Sequence, residues 1–183
     1  MASYGIHLAI ANKYLDKHPE ENKNEFIQGT IAVDLAKDKI KSHYTGTTDH
    51  SDLRNFLNQK VVLSGYVKEK KLNSSYERGY FQHLITDYYF YTEFFNKNWI
   101  ESVDYTEFKR VMYHDYSALN NYLIQKYGVQ YPLTIGNFES IEEEPEIIKE
   151  DAIDKFIEKM SEINLEQIYD QELKKVNEKI EER

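Results

Sequence analysis

His83 and Asp87 stand four residues apart within Gly79-Tyr80-Phe81-Gln82-His83-Leu84-Ile85-Thr86-Asp87-Tyr88-Tyr89-Phe90-Tyr91, a run dominated by aromatic and aliphatic side chains. Positions i and i+4 share one face of a helix, so both polar groups point the same way. An imidazole and a carboxylate in an apolar interior are costly unless something compensates them. A shared divalent cation does so, because neutral imidazole nitrogen and carboxylate oxygen are ordinary zinc ligands.

Other residues of the same kind lie in similar surroundings. His7 sits in Ile6-His7-Leu8-Ala9-Ile10. Asp34 closes the apolar run Phe26-Ile27-Gln28-Gly29-Thr30-Ile31-Ala32-Val33-Asp34, where a hydrophobe is the easier occupant, and the small Gly29 and Ala32 permit close helix approach. His43 follows Ser42, and His114 directly precedes Asp115 in Tyr113-His114-Asp115-Tyr116. His18 and His50 lie in polar turns and read as solvated. Singly, each has an ordinary role: a core histidine hydrogen-bonded to a neighbour, an aspartate capping a helix. The case for a site comes from several in apolar settings at helical spacing. The chain has no cysteine, which excludes disulfides, thiolate metal sites and cysteine nucleophiles. Any metal is therefore held by nitrogen and oxygen, a donor set that suits zinc and also accepts manganese or iron.

The elements that must position these groups read as helices throughout, giving an all-α class; glycines number only seven and prolines three. Leu8, Ala11, Tyr14 and Leu15 form a first stripe that ends near His18-Pro19. Asn24 is the expected cap of a second helix through Phe26, Ile27, Ile31 and Val33. A polar loop is expected from Lys41 to His50, then a short helix opened by Ser51-Asp52. Val61-Val62-Leu63 fits either a brief strand or more helix. Asn73 to Phe95 and Tyr105 to Tyr127 read as two long helices, the second stopped by Gly128. Lys68 to Lys71 is a basic patch, a solvated turn or else a clamp for a substrate phosphate. A boundary marked by Gly136, Glu142-Glu143-Glu144 and Pro145 divides a metal-binding helical core, residues 1–136, from an acidic helical extension, residues 137–183. In the extension Ile153, Phe156, Ile157 and Met160 form one stripe. Leu165, Ile168, Leu173, Val176 and Ile180 form another, behind a capping box of Asn164 and Gln167. Packing on the core is the expected use of both, with dimerisation as the other.

The 183 residues carry a formal net charge of −9, with 40% hydrophobic and 14% aromatic residues, including 16 tyrosines. That composition is globular. The charge repels phosphate at long range and argues against nucleic acid or an anionic membrane as partner. A phosphate substrate stays accessible, since bound cations reverse the local field. No targeting segment is visible at the start and no apolar run reaches membrane-spanning length, so the cytoplasm is the expected location.

Three of these pieces together resemble the zinc-dependent phospholipase C family, within the broader group that includes single-strand nucleases. Gly29-Thr30-Ile31-Ala32-Val33-Asp34 is similar to that family's small-residue segment ending in Asp, with Val33 where many members carry proline. Ser42-His43-Tyr44 is similar to its serine-histidine-aromatic piece. Gly79 through Asp87 resembles its glycine-aromatic, His-x-x-x-Asp helix, and His7 matches its early histidine. The resemblance covers about residues 1 to 127. It implies a helical fold with two zinc ions in a cleft, one held by Asp34, His43, His83 and Asp87, with Asp87 bridging to a second shared with His7. The family's later His-x-x-x-Glu pair is absent, because Ala118 stands four after His114; His114 or Asp115 is the expected substitute ligand.

The activity expected from this is hydrolysis of a small-molecule or lipid phosphate ester by water. Asp34 is the candidate for orienting that water, and Tyr44, Tyr80 and Tyr88 are expected either to line a leaving-group pocket or to pack in the core. An HD-type phosphohydrolase built on the His114-Asp115 doublet is one alternative. A non-catalytic, structural metal domain whose acidic tail binds a partner is the other.

Overall fold

A computed structural model describes residues 2–45, 61–95, 102–135 and 138–182. These residues form eight α-helices, and no strand occurs among them. The all-α class is what the periodicity predicts.

Helix α1, Tyr4–Lys17, is capped by Ser3, whose hydroxyl accepts from the Ile6 N–H. Ile6 to Ala11 of α1 are all buried, so this helix runs through the centre and not along the surface. Helix α2, Lys23–Leu35, is capped by Asn22 and not by Asn24; Asn24 lies inside the first turn. Helix α3, Lys39–His43, occupies the start of the expected polar loop, with Asp38 as its cap. The other readings for residues 46–60, His50 and the Ser51-Asp52 helix among them, fall outside the described residues. Val61-Val62-Leu63 leads into α4, Leu63–Glu69, which decides between strand and helix.

Helix α5, Ser75–Tyr89, continues into a π-helical turn, Phe90–Phe94. The long α6, Tyr105–Tyr127, ends at Gly128, whose φ of 61° is left-handed. Glycine takes that conformation without steric penalty. The Asn12 side chain donates to the Tyr127 and Gly128 carbonyls at 3.0 and 3.2 Å, tying α1 to the end of α6.

Helices α2 and α5 make the most extensive helix pairing among the described residues. A Cβ on Gly29 would lie 1.9 Å from the Tyr76 carbonyl oxygen, and one on Gly79 would lie 2.0 Å from that of Phe26. The two glycines therefore let backbone meet backbone, as the small residues of that segment predict. Glu21 locks the same pair at its end: its side chain is 3% exposed and accepts from Arg78 Nη2 at 2.8 Å. A buried, forked pair of this kind is strong because both partners are satisfied.

Helix α7, Glu150–Ser161, puts Ile153, Phe156, Ile157 and Met160 into one cluster with Ile6, Leu8 and Ile10 of α1. Full burial of each such side chain contributes about 1.5–3 kcal/mol. Helix α8, Leu165–Glu181, adds Leu165 and Val176 to a second cluster around Phe26, Phe81 and Leu84. Asn164 caps it as the sequence predicts, accepting from the Gln167 N–H. Ile180 is 64% exposed and stays out of the core. No helix of the described residues is long and apolar enough to cross a membrane.

His114 and Asp115 have a job in this architecture. Asp115 is fully buried and accepts the backbone N–H groups of Glu146, Ile147 and Ile148 at 2.7, 2.8 and 2.7 Å. His114 Nδ1 lies 2.9 Å from Asp115 and its Nε2 lies 2.9 Å from Glu143. The doublet thus anchors the approach to α7 onto α6. Burial works against the charged carboxylate, but the Ile148 N–H and the His114 ring overcome it and hold Asp115 below the ordinary carboxylate range. Its stabilisation is therefore complete above the ordinary range and is lost as pH falls through the lower, folded value. Asp115→Ala is expected to lower stability near neutral pH by about 3 kcal/mol, since three buried N–H groups lose a charged acceptor. Thermal unfolding as a function of pH tests this. The gap between the two proteins should close below about pH 4, and a constant gap refutes the role.

Candidate metal centre

Four helices each bring part of one buried cluster: α1 brings His7, α2 brings Asp34, α3 brings His43, and α5 brings His83 and Asp87. All five are buried, with Asp34 the most accessible at 7%. His83 and Asp87 share one face of α5, and His83 Nε2 lies 3.3 Å from Asp87 Oδ2.

The tautomers can be argued from the partners. His83 Nδ1 lies 2.7 Å from the Thr30 carbonyl oxygen, and His43 Nδ1 lies 2.9 Å from that of Lys39. A carbonyl only accepts, so each Nδ1 carries the proton and donates. In the neutral rings both Nε2 atoms then present lone pairs to the cluster. What they meet is carboxylate oxygen. Asp34 Oδ1 lies 3.1 Å from His43 Nε2 and 3.8 Å from His83 Nε2. Asp87 Oδ2 lies 3.6 Å from His43 Nε2. Lone pairs facing lone pairs repel unless a cation sits among them.

The spacing supports that cation. Ligands at roughly 2.0–2.1 Å around tetrahedral zinc stand about 3.3 Å from one another. The separations of 3.1, 3.3, 3.6 and 3.8 Å surround that value. The atoms left without a hydrogen-bond partner include His83 Nε2 and Asp87 Oδ2. Carbonyl-anchored histidines are also how metal sites fix their imidazoles. The mutually close donor atoms form two triads that share His83: Asp34, His43 and His83 on one side, and His7, His83 and Asp87 on the other. Asp87 Oδ2, 3.6 Å from His43 Nε2, is a fourth donor beside the first triad.

The second triad lies on the other side of His83. His7 Nε2 lies 3.1 Å from Asp87 Oδ1, and both His7 ring nitrogens lack a hydrogen-bond partner. The His7 ring stacks on His83 at 3.5 Å. The Ala2 N–H already donates to Asp87 Oδ1 at 2.9 Å. His7, Asp87 and the shared His83 supply three donors there.

The electrostatics follow from the same contacts. Burial, and then the neighbouring His83, push the His7 imidazole below its ordinary value. Burial also opposes charge on His83, but Asp34 and Asp87 outweigh it and raise the ring above 6.5. Asp87 is held well below the carboxylate range: burial opposes this, and the adjacent His7 and His83 overcome it. Asp34 is lowered in the same way, with His83 as the main counter to burial.

His114 and Asp115 are not brought to this cluster, so their assignment as ligands is corrected: their polar atoms are taken up by the anchor described above. The tyrosines divide between their two expected roles. Tyr44 and Tyr80 line a separate cavity, and Tyr80 Oη donates to the Ser42 carbonyl at 2.6 Å, steadying α3 from outside. Tyr88 packs at the rim of the second apolar cluster. Lys68 to Lys71 are exposed, and none of them lines the cavity that reaches Asp34. That cavity, of about 520 Å³, is lined instead by Tyr4, Tyr105, Tyr116 and Phe138, with Lys39 and Lys109 at its wall. No signal in the sequence ties residues so far apart to one space. Comparison with family models, curated proteins and solved structures gives no match to this chain.

Proposed function

We propose that this protein is a metal-dependent hydrolase of phosphate esters, with a divalent cation, zinc first, held by Asp34, His43, His83 and Asp87. The observation that carries this reading is the buried, converging set of donor atoms, two triads that share His83, with one of its carboxylates, Asp34, on the wall of an open cavity. A cation bound there supplies Lewis acidity toward a phosphoryl oxygen and acidifies water. The chain's own residues do the rest. Asp34 orients the attacking water, whose proton passes to solvent. The water oxygen bonds to phosphorus, the ester P–O bond opposite it breaks, and the leaving alkoxide takes a proton from solvent. The exposed Lys39 and Lys109 ammonium groups offset the acidic balance of the chain where the phosphate enters. Asp87 and the two anchored imidazoles keep the donor set rigid, as preorganised catalysis requires.

The phosphate end of this reading also draws on the similarity of Gly29–Asp34, Ser42–Tyr44 and Gly79–Asp87 to the zinc-dependent phospholipase C family. The HD-type alternative rests on a doublet whose polar atoms are engaged in the α7 anchor. Elemental analysis of protein purified without chelator, followed by turnover of phosphomonoesters and phosphodiesters, tests the proposal. Near-stoichiometric metal with hydrolysis that chelator abolishes is the expected result. Absence of bound metal under zinc supplementation refutes it, and metal bound without turnover supports a structural role instead.

The raised His83 ring gives a pH dependence with a definite sign. A protonated imidazole cannot ligate, so protons compete with metal once pH falls toward the elevated value. Metal affinity is expected to level off at the alkaline side and to drop about tenfold per pH unit below it. Competition against a metal indicator between about pH 5.5 and 8 measures this. Affinity that rises with acidity refutes the assignment of His83.

A further inference from the structure

The cavity that reaches Asp34 has two kinds of wall. Its metal-side wall carries Ala2, whose N–H donates to Asp87, and Lys39, whose ammonium contacts the Asp34 carbonyl oxygen. The opposite walls are rings. Tyr4 and Phe138 meet edge to face at 5.8 Å, and Lys109 lies 5.4 Å over the Tyr105 ring. Tyr105 and Phe108 come from the start of α6, Tyr4 from the first turn of α1, and Phe138 from the segment beyond α6. The space of about 520 Å³ lies within the range of small-molecule sites, roughly 300–1,000 Å³.

We propose that this cavity selects a compact, soluble phosphate ester bearing one aromatic ring, its phosphate toward Lys39 and Asp34 and its ring among Tyr4, Tyr105, Tyr116 and Phe138. Three observations carry it. Asp34 and the Lys39 ammonium that contacts its carbonyl oxygen lie together at the metal side, which fixes the phosphate end. The rings offer faces and edges against which a planar group packs well. The volume of about 520 Å³ takes a phosphate and one ring together. The inference rests on the hydrolase reading only for its phosphate end.

The test uses the zinc-loaded protein and non-hydrolysable probes. Calorimetry should show phenylphosphonate binding at least about tenfold more tightly than methylphosphonate, the ring adding about 1.4 kcal/mol. Phe138→Ala and Tyr105→Ala should each erode that ratio while methylphosphonate affinity holds. Lys39→Ala should weaken both probes alike and keep the ratio. Turnover of phenyl phosphate should exceed that of glycerol 3-phosphate and of phosphatidylcholine vesicles. Equal binding of the two phosphonates, or faster cleavage of vesicle lipid, overturns the proposal. Selective phenylphosphonate binding without turnover of any ester sinks the hydrolase reading and leaves the cavity assignment standing. Turnover with no ring preference does the reverse.

Discussion

His83→Ala is expected to empty the centre. His83 alone belongs to both groups of donor atoms, pairing with Asp34 and His43 on one side and with His7 and Asp87 on the other. Zinc in four-ligand protein sites binds with roughly 10–16 kcal/mol, so one ligand is worth about 3 kcal/mol, a hundredfold or more in affinity. Turnover should vanish with the metal. The variant also deprives the Thr30 carbonyl of its donor, so loss of fold must be separated from loss of site. Thermal unfolding does this. In chelator, variant and parent should unfold within a few degrees of one another. With zinc at about a hundred times the parent's Kd, the parent should gain about 2.7 kcal/mol and the variant no more than about 0.4 kcal/mol. Zinc bound by the variant at the parent's affinity would show that His83 is not a ligand. His114→Ala is the matched control: it touches the α7 anchor, and metal affinity should hold.

The parts legible in the sequence were those fixed by local periodicity. His83 and Asp87 share a face because they are one helical turn apart, and no tertiary information is needed to see it. Gly128 stops α6 because a left-handed residue is the usual helix terminator. The misreadings share a physical cause. An adjacent His-Asp pair looks like ligands, but Asp115 meets its three N–H partners more than thirty residues away, and spacing carries nothing about them. Periodicity likewise puts Tyr80 on a face of α5 without saying which neighbour that face meets; it meets α3 from outside, not the metal side. Asn22 and Asn24 are both sound caps by residue type, and the Ser75 hydroxyl that receives the Asn22 N–H comes from another helix. The π-helical turn at Phe90 follows a run of aromatic packing that no local pattern forecasts.

Gly29→Ala, like Gly79→Ala, should be among the costliest methyl groups added to the described helices, and should also impair the metal site. The added carbon would lie 1.9 Å from the Tyr76 oxygen, with the Tyr76 carbonyl carbon at 2.7 Å. These are backbone atoms of a helix and cannot rotate aside, so α2 and α5 must part. Overpacking usually costs about 1–3 kcal/mol, and a rigid obstacle puts this case at or above the upper end. For a chain of this size that is roughly a 10 °C fall in melting temperature. The displacement also moves Thr30 and Asp34 on α2 away from His83 and Asp87 on α5. The Thr30 carbonyl that orients His83 sits next to Gly29 in the chain, so the imidazole loses its anchor as the helices separate. Zinc affinity is therefore expected to fall at least tenfold, the range seen when a ligand's supporting hydrogen bond is lost. Gly128→Ala separates the two effects. That glycine has a left-handed φ and open space around it, so alanine there costs about 1 kcal/mol in backbone strain and leaves zinc affinity as it was. If Gly29→Ala keeps the parent's zinc affinity despite its lower melting temperature, the close α2–α5 contact is a stability device only, and the metal centre does not depend on it.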